Sequence, residues 1–309
     1  MRLSELARGL DLAGPAGSGP GMDPEVTGVE HDSRRVRPGD LFVALPGERF
    51  DGRAFAAAAV AAGAVAVVGP EPDAAGAAVA VPWLVAASPR ALLGPLAARA
   101  YGHPERELIL AGVTGTNGKS TVATLVAAIL TAAGRPAGFI GTLGYRFQEK
   151  TYAGAHTTPE ASDLFRLLRA MRDDGAAAVA MEVSSHALGM GRVDGARFDA
   201  AAFTNLTRDH LDYHADMEDY FATKRRLFDM LKAGRRPAVN VDDPYGRRLA
   251  AEIPDALTFG ERGEVSARDV AMTTTGIQGV LVTPRGELPF ASHLLGGYNL
   301  SNLLAAAAV

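Results

Sequence analysis

Cysteine is absent from all 309 residues, which removes disulfides, thiolate metal sites and cysteine nucleophiles from consideration. An excess of either charge is also missing. The 31 Lys and Arg stand against 35 Asp and Glu, for a formal net charge of −4, and such a balance leaves no electrostatic footprint for nucleic acid or an anionic membrane. No long apolar run is present. An uncharged stretch at residues 54–70 is mostly alanine and glycine and contains Gly63 and Pro70, a poor membrane span. At the N-terminus Arg2, Glu5, Arg8 and Asp11 interrupt any apolar segment of the signal-peptide type. These absences predict a cytoplasmic protein with no membrane insertion and no nucleic-acid partner; the lack of cysteine agrees with a reducing compartment.

What is there is enough for a sizeable core. Hydrophobic residues make up 48% and charged residues 21%, and the length suits two domains. Leu41–Leu45, Ala64–Val68 and Val79–Ala86 read as short strands, with Ala54–Ala62 and Arg90–Tyr101 helical. Gly102-His103-Pro104 marks a boundary, because the residue before proline resists helix and glycine ends one. The expected division is therefore a domain at 1–103 and another at 104–309. In the second, strands at Leu108–Val113, Ala176–Val183, Phe198–Phe203 and Pro237–Val241 alternate with helices at Lys119–Thr131, Leu164–Met171 and Tyr220–Leu231. That alternation predicts an α/β fold: a small N-terminal α/β domain, then a central P-loop-type domain whose mostly parallel sheet is covered by helices. Residues 258–289, with Gly276, Gly279 and Gly286, predict an antiparallel meander at the sheet edge. The alanine-rich helical pattern of residues 299–309 has no terminating cap, and a further domain is expected beyond it.

The strongest chemical signal is Gly112-Val-Thr-Gly-Thr-Asn-Gly-Lys-Ser-Thr121, placed between a strand and a helix as a phosphate-cradling loop requires. Gly115 and Gly118 let backbone N–H groups approach phosphate oxygens, Lys119 supplies a cation, and Ser120 a hydroxyl for Mg²⁺. Val113 stands where the strict pattern has its first glycine; the alternative is a glycine-rich turn capped by Ser120 or Thr121. In Met181-Glu-Val-Ser-Ser-His186, Glu182 falls at the carboxyl end of a strand, where it either holds a metal ion or caps a turn. His210 and His214 have the spacing of a helical zinc pair, but Leu211 stands where a zinc hydrolase needs glutamate, which disfavours that chemistry. Lys224-Arg225-Arg226 reads on its own as a basic helix surface. His156-Thr-Thr-Pro-Glu160 reads as a loop, with Thr158 capping a helix whose first residue is Pro159.

Taken in order, Asp32-Ser-Arg34 with Gly39-Asp-Leu-Phe-Val43, the loop at 114–121, His156-Thr-Thr-Pro159, Glu182-Val-Ser-Ser-His186, Asn205 to Asp212 and Gly297-Tyr-Asn-Leu-Ser-Asn302 resemble the Mur ligase family, and within it the MurE type. The resemblance covers the whole chain. It implies an ATP-dependent ligase that joins a diamino acid, commonly meso-diaminopimelate, to UDP-MurNAc-L-Ala-D-Glu in peptidoglycan synthesis, acting as a monomer. Gly115, Thr116, Asn117, Gly118, Lys119, Ser120 and Thr121 are then ATP-binding, with Asn299 and Asn302 on the adenine side. His31 and Ser33, with the turn Glu48-Arg49-Phe50, fall to the uridine-diphosphate part, and Thr157, Thr158, Ser184 and Arg192 to the muramoyl dipeptide. Ser120, Glu182, His210 and Lys224, the last as a carbamate formed with CO₂, match the Mg²⁺ ligands; Lys119, Lys224, His210 and Glu182 are the implied catalytic set. Rival readings are MurF, folylpolyglutamate synthase, a lysine-adding relative, and a non-catalytic nucleotide-binding module.

Overall fold

The computed structural model describes residues 1–14, 22–47, 51–73, 79–154, 156–209 and 212–309. The backbone forms two compact units. The first gathers residues 1–105, 160–170 and 190–196, the second residues 106–159, 171–189 and 197–309.

In the first unit β1 (Gly28–Glu30), β2 (Asp40–Val43), β3 (Ala66–Gly69) and β4 (Trp83–Val85) form a parallel sheet in that order. All four residues of β2 and of β3 are buried, as expected of parallel strands covered on both faces. Phe42, Val67 and Trp83 pack there with Ala56 and Ala59 of the helix Ala56–Ala61. A charged residue lies within this unit. Glu30, fully buried, accepts N–H bonds from His31 (2.9 Å) and Asp32 (3.2 Å) and pairs with Arg166 at 3.1 Å and Arg35 at 3.5 Å. Burial alone would raise its pKa; the His31 contact, the Asp32 N–H and the Arg35 charge win, holding it down at about 2.

The second unit is built on an eight-stranded sheet. The remaining strands are β5 (Ile109–Thr114), β6 (Ala137–Gly141), β7 (Gly144–Phe147), β8 (Lys150–Tyr152), β9 (Ala178–Glu182), β10 (Ala200–Phe203), β11 (Ala238–Asn240), β12 (Leu257–Phe259), β13 (Ser266–Thr273), β14 (Gly276–Thr283) and β15 (Gly286–Ser292). The order is β12-β11-β10-β5-β9-β6-β7-β8, parallel from β12 to β6 and antiparallel across β7 and β8. The helices Lys119–Ala132 and Gly297–Ala308 pack their apolar faces on this sheet through Val122, Ala123, Val126, Leu304 and Ala305. The antiparallel edge thus comes from residues 144–152. The meander expected at the sheet edge is instead a separate three-stranded sheet, β13-β14-β15, while β12 alone joins the main sheet. Much of the meander is solvent-exposed, so its sequence carried the hairpin turns but no marker of which sheet it enters.

Replacing Glu30 by Gln removes a carboxylate whose ionised form the fold favours. The lowered pKa means that this stabilisation is complete above the ordinary value of 4.5 and is lost as pH falls towards 2. E30Q is expected to lower stability at pH 7 by about 3 kcal/mol. Urea unfolding followed by the fluorescence of Trp83, the sole tryptophan of the sequence and a resident of the same unit, measures it.

Candidate functional site

Strand order explains where the chemistry collects. β5 lies between β9 and β10, so the loops leaving all three emerge side by side at their carboxyl ends, the usual ligand position in an open parallel sheet. The register is close: Glu182 is level with Val113, and Phe203 with Thr114. The polar residues at or just beyond each strand end, Thr114–Gly118, Glu182 and Thr204-Asn205, therefore meet.

Val113 is a buried residue inside β5, and the turn begins later, at Gly115. Gly115 (φ +146°) and Gly118 (φ +86°) adopt backbone angles that L side chains avoid. Space is a second constraint. A Cβ on Gly115 would strike Thr204 Oγ1, and one on Gly118 would strike Asn302 Oδ1. The turn is laced to the end of β10: Thr116 N–H donates to Asn205 O and Asn117 N–H to Asn205 Oδ1, both at 2.9 Å, while Thr204 Oγ1 donates to Asn117 O at 2.6 Å. Ser120 and Thr121 stand in the first turn of the helix Lys119–Ala132, whose leading N–H groups have no partner within the helix and carry partial positive charge.

Two lysines converge on this turn. Lys119 Nζ donates to Gly115 O at 3.0 Å and Thr116 O at 2.8 Å. Lys224 Nζ donates to the same Gly115 O at 2.9 Å and lies 4.4 Å from the centre of the Tyr220 ring. Burial pulls the Lys119 ammonium below the ordinary lysine value, against the opposing fields of Glu182 and Asp209. It pulls Lys224 well below, and the like charge of Lys119 adds to the effect. Lys224 is only 1% exposed, so the surface reading of residues 224–226 fails for it. The reason was in the sequence: Tyr220, Phe221, Lys224, Leu227 and Phe228 form one buried helical face, while Arg225 turns out to Glu252 and Asp229.

Glu182, 1% exposed, accepts from Thr142 N–H at 2.8 Å and from Thr142 Oγ1 at 3.4 Å. Thr157 joins through its hydroxyl, 3.0 Å from that of Thr142. Thr158 does not cap a helix. The helix begins at Ala161, and the Thr158 hydroxyl donates to Glu182 O at 2.8 Å and accepts from Ser184 N–H at 3.2 Å. The ladder with β6 ends at Met181, and this hydroxyl takes over where it stops. Ser184 Oγ accepts from Ala187 N–H at 3.2 Å. Asn302 donates to Asn299 Oδ1 at 2.9 Å and Asn299 to Leu295 O at 2.8 Å, which fixes Asn302 behind Gly118. His210 and residues 48–50 lie outside the described residues. His214, 3% exposed, faces Asp219 at 3.0 Å and the rings of Tyr213 and Tyr220.

His31, Ser33 and Arg192 belong to the first unit. His31 Nδ1 lies 2.8 Å from Ser162 Oγ, and Ser33 opens a 3₁₀ turn capped by Asp32. Sequence reasoning passed over Thr142, Thr204 and Tyr220; the first two follow directly on strand ends, the signal that had identified Glu182. Among the described residues no three His, Asp or Glu side chains gather as a metal cluster. The buried Glu182 carboxylate and the Ser120 hydroxyl are nonetheless oxygen donors of the kind Mg²⁺ takes.

The Mur ligase middle domain matches residues 113–309, and the Mur ligase family catalytic domain residues 25–101. The chain belongs to the Mur ligase family. It is 46% identical to the UDP-N-acetylmuramoyl-L-alanyl-D-glutamate--2,6-diaminopimelate ligase of Geobacter metallireducens, over 100% of this chain and 61% of that protein. A solved structure of a ligase of that name superposes with a TM-score of 0.84 at 29% identity, covering 100% of this chain and 63% of the other. The MurF ligase of Thermotoga maritima, solved in complex with ADP, shares the fold at 21% identity and a TM-score of 0.66, over 91% of this chain and 62% of that one. This Mur ligase chain thus spans about three fifths of the length of the relatives it matches.

Gly115→Ala is expected to destabilise the protein by about 1–3 kcal/mol, from the strained backbone angle and the collision with Thr204. Gly134→Ala, also at positive φ but with open space around it, is expected to cost less. Urea midpoints of the two variants compare the effects.

Proposed function

We propose that this chain provides the nucleotide and UDP-precursor sites of an ATP-dependent ligase adding meso-diaminopimelate to the D-glutamyl γ-carboxylate of UDP-MurNAc-L-Ala-D-Glu. The observation that carries the reading is the meeting of Lys119 and Lys224 at Gly115 O, beside the buried Glu182. The Lys119 ammonium on a glycine turn at a helix N-terminus makes a receptor for a polyanion, and Lys224 brings a second, deeply buried amine to the same carbonyl. The named relatives supply the substrate class. In this reading residues 104–309 form the ATP-binding domain and residues 1–103 the UDP-substrate domain, in a cytoplasmic, monomeric enzyme.

A carboxylate is a poor electrophile. The γ-carboxylate first attacks the γ-phosphorus of ATP, giving ADP and an acyl phosphate; the amine then attacks the acyl carbon, and phosphate leaves from a tetrahedral intermediate. Gly115 and Gly118 admit the phosphates to the N–H groups that open the helix Lys119–Ala132, Lys119 turns from its loop carbonyls to the β/γ-phosphates, and Asn299 with Asn302 lines the adenine side. Thr157, Thr158, Ser184 and Arg192 hold the dipeptide, and His31 and Ser33 the UDP part. Ser120, Glu182 and His210, with Lys224 as carbamate, would hold Mg²⁺, which supplies positive charge to the phosphates in transfer. Carbamate formation suits a buried amine held well below its ordinary pKa: its neutral nitrogen bonds to CO₂ and releases a proton, leaving an anion where a cation was costly. Positioning and electrostatics carry most of the acceleration.

In a chain of the relatives' full length, Lys119→Ala is expected to lower ADP release by about a thousandfold, and that release is expected to require UDP-MurNAc-L-Ala-D-Glu. Release indifferent to the dipeptide precursor would place the protein with non-catalytic or unrelated nucleotide binders. Separately, ¹³C-bicarbonate is expected to add a carbamate carbon resonance that Lys224→Ala lacks.

A further inference from the structure

Glu182 ends β9 against a wall of backbone. A Cβ added to Gly141 would collide with its Oε1, so the carboxylate lies directly on the chain where β6 stops. The N–H of the next residue, Thr142, donates to that Oε1 at 2.8 Å. The other oxygen, Oε2, is reached by the Thr142 hydroxyl at 3.4 Å, and that hydroxyl lies 3.0 Å from the hydroxyl of Thr157. Thr157 is held in place, because its neighbour Thr158 is tied to the end of β9 by two hydrogen bonds. All these side chains belong to the second unit.

The order of these oxygens restricts their hydrogens. A hydroxyl has one hydrogen to give and lone pairs that accept, whereas a carboxylate only accepts. Either hydroxyl can donate across the contact between Thr142 and Thr157, so the row has two directions. In the inward direction Thr157 donates to Thr142, and Thr142 to Glu182 Oε2. In the outward direction Thr142 donates to Thr157, whose own hydrogen is then available to a bound acceptor. A cation on Oε2 competes with the Thr142 hydrogen for the same lone pairs and favours the outward direction. A ligand oxygen that accepts from Thr157 favours it too. Whichever binds first turns the row, and the second finds it already turned, so the two bind with positive coupling.

We infer that Thr142 is a positioning residue whose hydroxyl couples the Mg²⁺ ligand Glu182 to the precursor-binding Thr157. This rests on the ligase reading above, in which those two residues carry those roles. The precursor offers Thr157 acceptors in its carboxylates and peptide carbonyl. Its arrival readies Glu182 for the metal, and the metal readies Thr157 for the precursor, by the same factor in each direction. Only hydrogens turn, so the coupling needs no shift of the backbone. Direct attraction between Mg²⁺ and the precursor's carboxylates is the competing source of coupling. It does not depend on the Thr142 hydroxyl, and the experiment separates the two.

Isothermal titration calorimetry on this chain measures the affinity for UDP-MurNAc-L-Ala-D-Glu, in EDTA and in saturating Mg²⁺, for wild type, T142V and T142S. Valine keeps the shape and backbone N–H of threonine without its hydroxyl, and serine keeps the hydroxyl. Wild type is expected to bind the precursor about tenfold more tightly with Mg²⁺. In T142V that gain is expected to fall below about threefold, and in T142S to return to within about twofold of wild type. UDP, titrated in EDTA, is expected to bind all three proteins alike. A T142V variant that keeps the full gain overturns the inference and assigns the coupling to direct attraction. A T142S variant that loses the gain overturns it too, as does a T142V variant that no longer binds UDP, which marks a structural lesion. Wild type that binds the precursor equally with and without Mg²⁺ likewise overturns it. Wild-type protein that fails to bind UDP-MurNAc-L-Ala-D-Glu under either condition overturns the ligase reading instead.

Discussion

The carbonyl oxygen of Gly115 accepts hydrogen bonds from two lysines, and the site in the second unit is organised around that fact. Two ammonium groups close together and largely out of water repel each other and lose hydration, so the arrangement is costly without compensating negative charge. Glu182 and the field of Asp209 supply part of it; the rest is what a polyanionic ligand or a modified lysine provides. The sheet holds the tension in place. With β5 paired to β9 on one side and β10 on the other, the turn, the carboxylate and the Thr204-Asn205 clamp cannot drift apart to relieve it.

The first unit repeats the logic on a smaller scale. Glu30 is buried because arginines and two N–H groups surround it, a satisfied network that contributes stability. These partners are visible only in the tertiary structure, since Glu30 is an ordinary glutamate in the sequence.

Local chemistry was therefore legible and partnership was not. The turn at 112–121 could be read directly, because glycine, lysine and hydroxyl spacing acts within ten residues and between recognisable strand and helix patterns. The parallel sheet was legible for the same reason. Lys224 was misread from its charged neighbours, though the helical period of Tyr220, Leu227 and Phe228 already placed it on the buried face. Thr158 was misread because a threonine before proline signals a cap, whereas the end of β9, 24 residues away, offered its hydroxyl better partners.

The sequence by itself determined the elements, the turn chemistry and the alternation that makes the main sheet parallel, all consequences of backbone sterics and periodic burial acting over short range. Only the tertiary structure decided the strand order that puts β5 between β9 and β10, the separation of the meander into its own sheet, and which buried charges are balanced. Those depend on pairing between segments tens of residues apart, where the Coulomb and hydrogen-bond energies are set by distances that no local pattern specifies.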